Sequence, residues 1–221
     1  MDSAPHSRPV NGTPRIVSWL VWGGIAAVIL VIAAAYVRER AQQAKALPVI
    51  REVTPFALTN QSGAVATLDS LRGKVWLAEI IFTRCAGPCY AMTKEFAALQ
   101  KELPPRPDLR FVSLTADPEF DSPEVLRKYQ EKFGGDAARW SLLTGPKASL
   151  YPLAINGLLL SVDENPAGKE NVKIDDMFIH STRLVLVDRR GRLRAYFNGD
   201  GTQPRAEILG AVNALLSEKQ P

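Results

Sequence analysis

The sequence predicts an α/β domain built on a mixed sheet, preceded by one N-terminal transmembrane helix. Three observations carry this. Ile16 to Val37 is an apolar run of 22 residues without a charge. Beyond it, short apolar runs alternate with stretches of helical period. The order then closes on a hairpin and a helix, which gives a sheet with strands of both senses.

The apolar run is long enough to span a bilayer, at roughly 1.5 Å per helical residue and roughly 33 Å in all. Trp19, Trp22 and Tyr36 lie toward its ends, as an aromatic belt does, and Arg15 and Arg38 bracket it. A cleaved export signal is the competing reading, with Ala33-Ala34-Ala35 resembling its cleavage site. Its apolar region would be shorter, about 7–15 residues. The expected division is therefore a cytoplasmic tail over 1–15, an anchor over 16–37, a polar linker over 38–53 and a folded domain over 54–221. Basic residues flank the anchor almost evenly, so charge alone does not set its orientation.

Within the domain, FALTNQSG (56–63) reads as a strand and turn, and LRGK (71–74) as a turn. VWLAEIIF (75–82) is a continuous apolar run, as in a central strand buried on both faces. Its one acid, Glu79, needs a partner or an edge. Met92, Phe96, Leu99 and Leu103 have helical spacing, and Pro104-Pro105 ends that helix. RFVSLTA (110–116) is a second strand. DSPEVLRKYQEKFG (121–134) is a helix with Ser122 as N-cap and Pro123 at its first position. SLLTG (141–145) is a short strand, and PKASLYPLAINGL begins another helix. STRLVLVDRRGRLRAYFN (181–198) is a hairpin turning at Arg189 to Arg192. PRAEILGAVNALLSEK (204–219) is the closing amphipathic helix. The polar loop ENPAGKENVKIDD (164–176) is expected to be mobile and to order on binding.

The net charge is +4, from 27 basic and 23 acidic side chains. Residues 1–50 hold five of the basic and two of the acidic ones, so the remainder carries an excess of one. The basic balance belongs mainly to the membrane segment and its flanks and gives no argument for nucleic acid. There is no P-loop, dinucleotide-binding glycine motif or serine triad signature.

The chain has two cysteines, Cys85 and Cys89, in FTRCAGPCYAM. A disulfide closing so small a loop adds little stability, which argues against a structural staple. Cys85 ends the central strand and Cys89 enters the next helix, at the carboxyl edge where open α/β sheets place ligands. The helix N-terminus and Arg84 are expected to favour thiolate. Two thiolates alone do not complete a four-coordinate zinc site, whereas Cu(I) takes two or three soft ligands. His180 is the candidate third ligand, since His6 lies before the membrane segment. Met92 and Met177 could assist but fit the core better, as do Trp76 and Trp140.

FTRC-AGP-C with its helix, SLTADPEFDSPEVLRKY, LLTGP and IHSTRLVLVDRRGRLRAYF occur in that order. Together they resemble the SCO/SenC family of membrane-anchored copper proteins over residues 54–217. The resemblance implies a thioredoxin-like fold and a copper site of Cys85, Cys89 and His180, holding Cu(I) or Cu(II). It places Asp117 and Asp121 in the family's acidic segment, in a supporting or loop-ordering role beside Arg84. Ala86, Tyr90 and Ile179 stand where the family commonly has proline, proline and aspartate.

The implied function is copper delivery to the copper-bearing subunit of cytochrome c oxidase, or to another copper or thiol protein. The C-terminal domain would lie in the periplasm, tethered to a bacterial inner membrane. The alternative is a tethered thiol–disulfide oxidoreductase or redox sensor, with Cys85 attacking and Cys89 resolving. Against it, thioredoxins place a cis-proline where this chain has His180.

Overall fold

The computed structural model describes residues 15–44, 47–165, 173 and 177–218. The expected cytoplasmic tail, the join at 45–46 and most of the polar loop before His180 lie outside the described residues. The chain divides into two compact units, Met1–Ala46 and Leu47–Pro221.

The first unit holds α1 (Arg15–Ala44), a helix of 30 residues. Its stretch Trp19–Tyr36 has mean hydropathy 2.2 and none of it is buried in protein. By length and composition it can cross a membrane. The helix runs well past Val37, into the segment read as linker.

The second unit is a layered α/β domain. Its strands are β1 (Arg51–Glu52), β2 (Ala57–Asn60), β3 (Val65–Thr67), β4 (Val75–Ile81), β5 (Leu109–Thr115), β6 (Trp140–Thr144), β7 (Val162–Glu164), β8 (Phe178–His180), β9 (Arg183–Val187) and β10 (Arg192–Asn198). Its helices are α2 (Leu68–Leu71), α3 (Pro88–Glu102), α4 (Pro123–Lys132), α5 (Lys147–Pro152) and α6 (Arg205–Ser217). A π-helical turn, Leu153–Gly157, extends α5. The main sheet runs β1-β10-β9-β4-β5-β6-β2-β3, and β7 pairs with β8 separately. β4, β5 and β6 are parallel, while β9 lies antiparallel to β4.

β4 sits mid-sheet because its sequence tolerates cover on both faces. All seven of its residues are buried. Each large aliphatic side chain so covered contributes about 1.5–3 kcal/mol. Glu79 finds its partner across the ladder: it pairs in register with Ser113 of β5, whose hydroxyl donates to Oε1 at 2.7 Å. The Trp140 indole donates to the same hydroxyl at 2.9 Å. On that face Phe96 of α3 meets both Phe111 and Trp140 edge-on.

Helix starts follow their sequence signals. Ser122 caps α4 by accepting from the Val125 amide, and Pro123 takes the first position. The hairpin β9–β10 turns where expected, with Gly191 at φ +77. An added Cβ there would also stand 3.1 Å from Leu68. Three features carry no clear pattern in the sequence: β3, the single-turn α2, and the separate pair β7–β8. The last matters most, because it makes His180 the end of a strand and not merely a residue before one.

Candidate metal centre

The site forms where three segments meet at the carboxyl edge of β4. Beyond that strand the chain runs through Phe82, Thr83 and Arg84 to Cys85. Cys89 follows in the first turn of α3, one position after Pro88. The antiparallel register pairs Ala78 with Val185. Counting outward brings Ile80 opposite Arg183, so the residues before Arg183 lie beside the loop after β4. His180 is placed there by β7, its register partner being Val162.

Cys89 Sγ lies 2.8 Å from His180 Nε2. The other ring nitrogen, Nδ1, lies 3.0 Å from the Ser181 carbonyl oxygen. A carbonyl oxygen only accepts, so Nδ1 carries the proton in the neutral ring. Nε2 then presents its lone pair to Cys89, the form a metal ligand needs. Phe82 meets the imidazole edge-on, with ring centroids 5.8 Å apart, and also packs on Phe178 at 5.1 Å. Burial lowers the His180 pKa, opposed by its bond to the Ser181 carbonyl.

Neither cysteine is in a disulfide, and both are buried. Cys89 shares a hydrogen bond with Cys85, and this raises its pKa most. Burial raises it further, against a smaller lowering from the backbone at Phe82. This corrects the expectation of a favoured thiolate at Cys89. The helix N-terminus is present, but a shared proton and exclusion of water outweigh it. Arg84 does not serve Cys89 either: its guanidinium is paired with Asp117 and lies 4.3 Å over the Phe120 ring.

The two aspartates of the acidic segment act on the cysteine loop. Asp121 is fully buried and accepts from the Thr83 amide at 3.2 Å, the Thr83 hydroxyl and the Thr115 hydroxyl. Burial raises its pKa despite these donors. Asp117 holds Arg84, and its own amide donates to Thr115 Oγ1 at 2.9 Å. Thus the two residues immediately before Cys85 are each fixed by one aspartate from the β5–α4 loop. Sequence reading found both aspartates but missed Thr83, Thr115 and the Ser181 carbonyl. The only signal for Thr83 was its place between the buried strand and the first cysteine.

Cys89 is the shared vertex, touching Cys85 on one side and His180 on the other. Among the described residues no three His, Cys, Asp or Glu side chains stand together at metal-ligand spacing. The donor set itself, two thiols and an imidazole with its lone pair directed inward, suits a soft cation of low coordination number. Met92 and Met177 are core residues, buried in the hydrophobic cluster with Trp76 and Trp140.

Comparison with known proteins identifies the family. The SCO1/SenC family model matches residues 44–217. A Bacillus subtilis protein described as an SCO1 protein homolog is 33% identical over 174 residues, covering 78% of this chain and 86% of its own length. A putative copper-binding protein of Stutzerimonas stutzeri is 29% identical over 163 residues, covering 71% of this chain and 76% of its own. Among solved structures, BsSco is 30% identical with a TM-score of 0.68, covering 79% of this chain and 99% of its own. BsSco is described as having a disulfide switch and as a member of the Sco family of cytochrome c oxidase assembly proteins. The span of the family match, the identity to the Bacillus subtilis relative and the shared fold agree: this chain belongs to the SCO1/SenC family.

Proposed function

We propose that this protein is a membrane-tethered copper carrier that delivers its cargo to cytochrome c oxidase during assembly. The observation that carries the reading is the contact between Cys89 Sγ and His180 Nε2, with Cys85 hydrogen-bonded to Cys89. Cys85, Cys89 and His180 are the proposed ligands. Two thiolates and one imidazole bind Cu(I) well, and a site at a strand-end loop allows ligand exchange with a receiving protein. The relatives support copper and oxidase assembly through what is said of them: one is described as copper-binding and another as an oxidase assembly protein.

Each residue has a task in that reading. His180 offers Nε2 because the Ser181 carbonyl holds the proton on Nδ1. The two thiols would release their protons to solvent as their sulfurs bind the cation, and metal–sulfur bonds would replace the hydrogen bond they share. Asp121 and Asp117 keep Thr83 and Arg84 fixed, so Cys85 stays oriented while copper comes and goes. α1 is the anchor, and the domain works on the periplasmic side of a bacterial inner membrane.

The thiols also permit a second reading, a tethered thiol–disulfide oxidoreductase. The hydrogen bond between Cys85 and Cys89 favours it, since oxidation of a pair in contact closes a disulfide. That disulfide removes two of the three ligands, so the pair must be reduced before copper binds.

The test is made in cells. A strain lacking this chain should lose cytochrome c oxidase activity and regain it on copper supplementation. Wild-type chain should restore activity without added copper; the Cys85→Ser, Cys89→Ser and His180→Ala variants should not. Full oxidase activity in the deletion strain at limiting copper would refute delivery.

A further inference from the structure

The copper reading uses Cys85 as a ligand but leaves unused a cavity that Cys85 helps to line. It measures about 290 Å³ and is lined by Cys85, Arg84, Tyr90, Tyr129 and Lys132 among others. Neither Cys89 nor His180 lines it, and neither does any acidic side chain. Of the three proposed ligands, the cavity therefore reaches Cys85, which is 4% exposed.

Its walls have a definite chemistry. Tyr90 is 43% exposed, an aromatic ring left open beside the thiol. Tyr129 is buried, with its hydroxyl 2.9 Å from Thr93 Oγ1. Tyr90, Phe133 and Tyr129 pack in sequence, with centroids 5.2 and 4.9 Å apart. Lys132 extends over this cluster, its Nζ 5.5 Å from the Tyr90 ring centre and 5.9 Å from that of Phe133. It stands in the last turn of α4, where the helix carbonyls favour a cation. The two acids of α4, Glu124 and Glu131, are taken by Lys128 and Arg127. Lys132 forms no ion pair among the described residues, whereas the charge of Arg84 is offset by Asp117.

We propose that this cavity admits a small anionic thiol, which reduces a Cys85–Cys89 disulfide by attack at Cys85, with Lys132 selecting its negative charge. The inference rests on the reading that the pair must be reduced to take copper. The visitor's thiolate attacks Cys85 Sγ. A new sulfur–sulfur bond forms there, the Cys85–Cys89 bond breaks, and its electron pair leaves on Cys89, which takes up a proton. A second visitor thiolate attacks the first at the mixed disulfide, releasing the visitor's disulfide and the Cys85 thiolate. Two visitor thiols are oxidised by two electrons in all, and two protein thiols are formed. The cavity, of about 290 Å³, has room for a molecule of a few residues' size.

The test uses the full chain in neutral detergent, oxidised to the disulfide. Three thiols of similar size serve as probes: 2-mercaptoethanesulfonate (anionic), 2-mercaptoethanol (neutral) and 2-aminoethanethiol (cationic). The readout is the second-order rate of protein disulfide reduction per probe thiolate. At low ionic strength the anionic probe should react about tenfold faster than the cationic one, and added salt should shrink that ratio. Lys132→Gln should bring the ratio close to one. A ratio near or below one in the wild type, or a ratio untouched by Lys132→Gln, overturns the proposal. Copper binding is measured on the same preparation after reduction with a neutral phosphine. Copper bound through all three ligands beside a flat charge ratio sinks this inference alone. Failure of the oxidised chain to form the disulfide sinks the premise and the inference together.

Discussion

Cys89 Sγ and His180 Nε2 lie 2.8 Å apart although 91 positions separate them in the sequence. α3 brings the sulfur and β8 brings the imidazole, and both arrive at the open end of β4. The pair meets because the antiparallel neighbour of β4 starts where β4 stops.

That contact yields a prediction about fold and metal together. Cys89→Ser keeps a donor to Nε2 in nearly the same volume, so the stability cost should stay within about 1–2 kcal/mol. The hydroxyl is a hard ligand, however, and Cu(I) binding should collapse. Denaturant unfolding and copper titration on one sample check both halves. A variant that still binds Cu(I) tightly would remove Cys89 from the ligand set.

Asp121 touches no proposed ligand, yet it takes three donors at the root of the cysteine loop. Asp121→Ala leaves the buried Thr115 and the half-buried Thr83 without their acceptor. The expected cost is about 2–4 kcal/mol, because unmet buried donors carry their full desolvation penalty. Copper affinity should fall roughly tenfold or more, as it does when groups behind metal ligands are lost. Unchanged affinity in a folded Asp121→Ala protein would mean the loop is held by other contacts.

Glu79 makes stability depend on pH. Burial raises its pKa from the ordinary 4.5 to about 8, against a lowering from the Ser113 hydroxyl. The folded chain therefore keeps the proton through a window in which the unfolded chain has lost it. The contribution of Glu79 is complete below pH 4.5 and is lost as pH rises to about 8. Glu79→Gln abolishes this titration. The stability of the variant relative to wild type should rise by roughly 2–4 kcal/mol across that window. Unfolding free energies at several pH values check it; parallel profiles for the two proteins would contradict it.

Much of this was legible in the residues. The run VWLAEIIF announced a strand covered on both faces, and the caps of α4 announced its start. The hairpin turn lay at Gly191 because its backbone requires positive φ. The cysteine pair pointed to soft-metal or thiol chemistry by spacing alone. What the sequence hid was long-range. β7 and β8 are three residues each and leave no periodic pattern, so the strand that aims His180 was invisible. The Asp121–Thr83 bond spans 38 positions and involves a threonine with no motif of its own. The acidity of Cys89 was misjudged because local rules count the helix dipole but not the burial and shared proton that tertiary packing imposes.

The central claim is the three-ligand site, and metal counting tests it most directly. The full chain, reduced and loaded with Cu(I) under anaerobic conditions, should retain close to one copper per chain against a competing chelator. Cys85→Ser, Cys89→Ser and His180→Ala should each lower the affinity sharply while the chain stays folded. Copper retained equally by the His180→Ala variant, or no copper retained by the wild type, would contradict the site and leave the cysteine pair as a thiol redox couple.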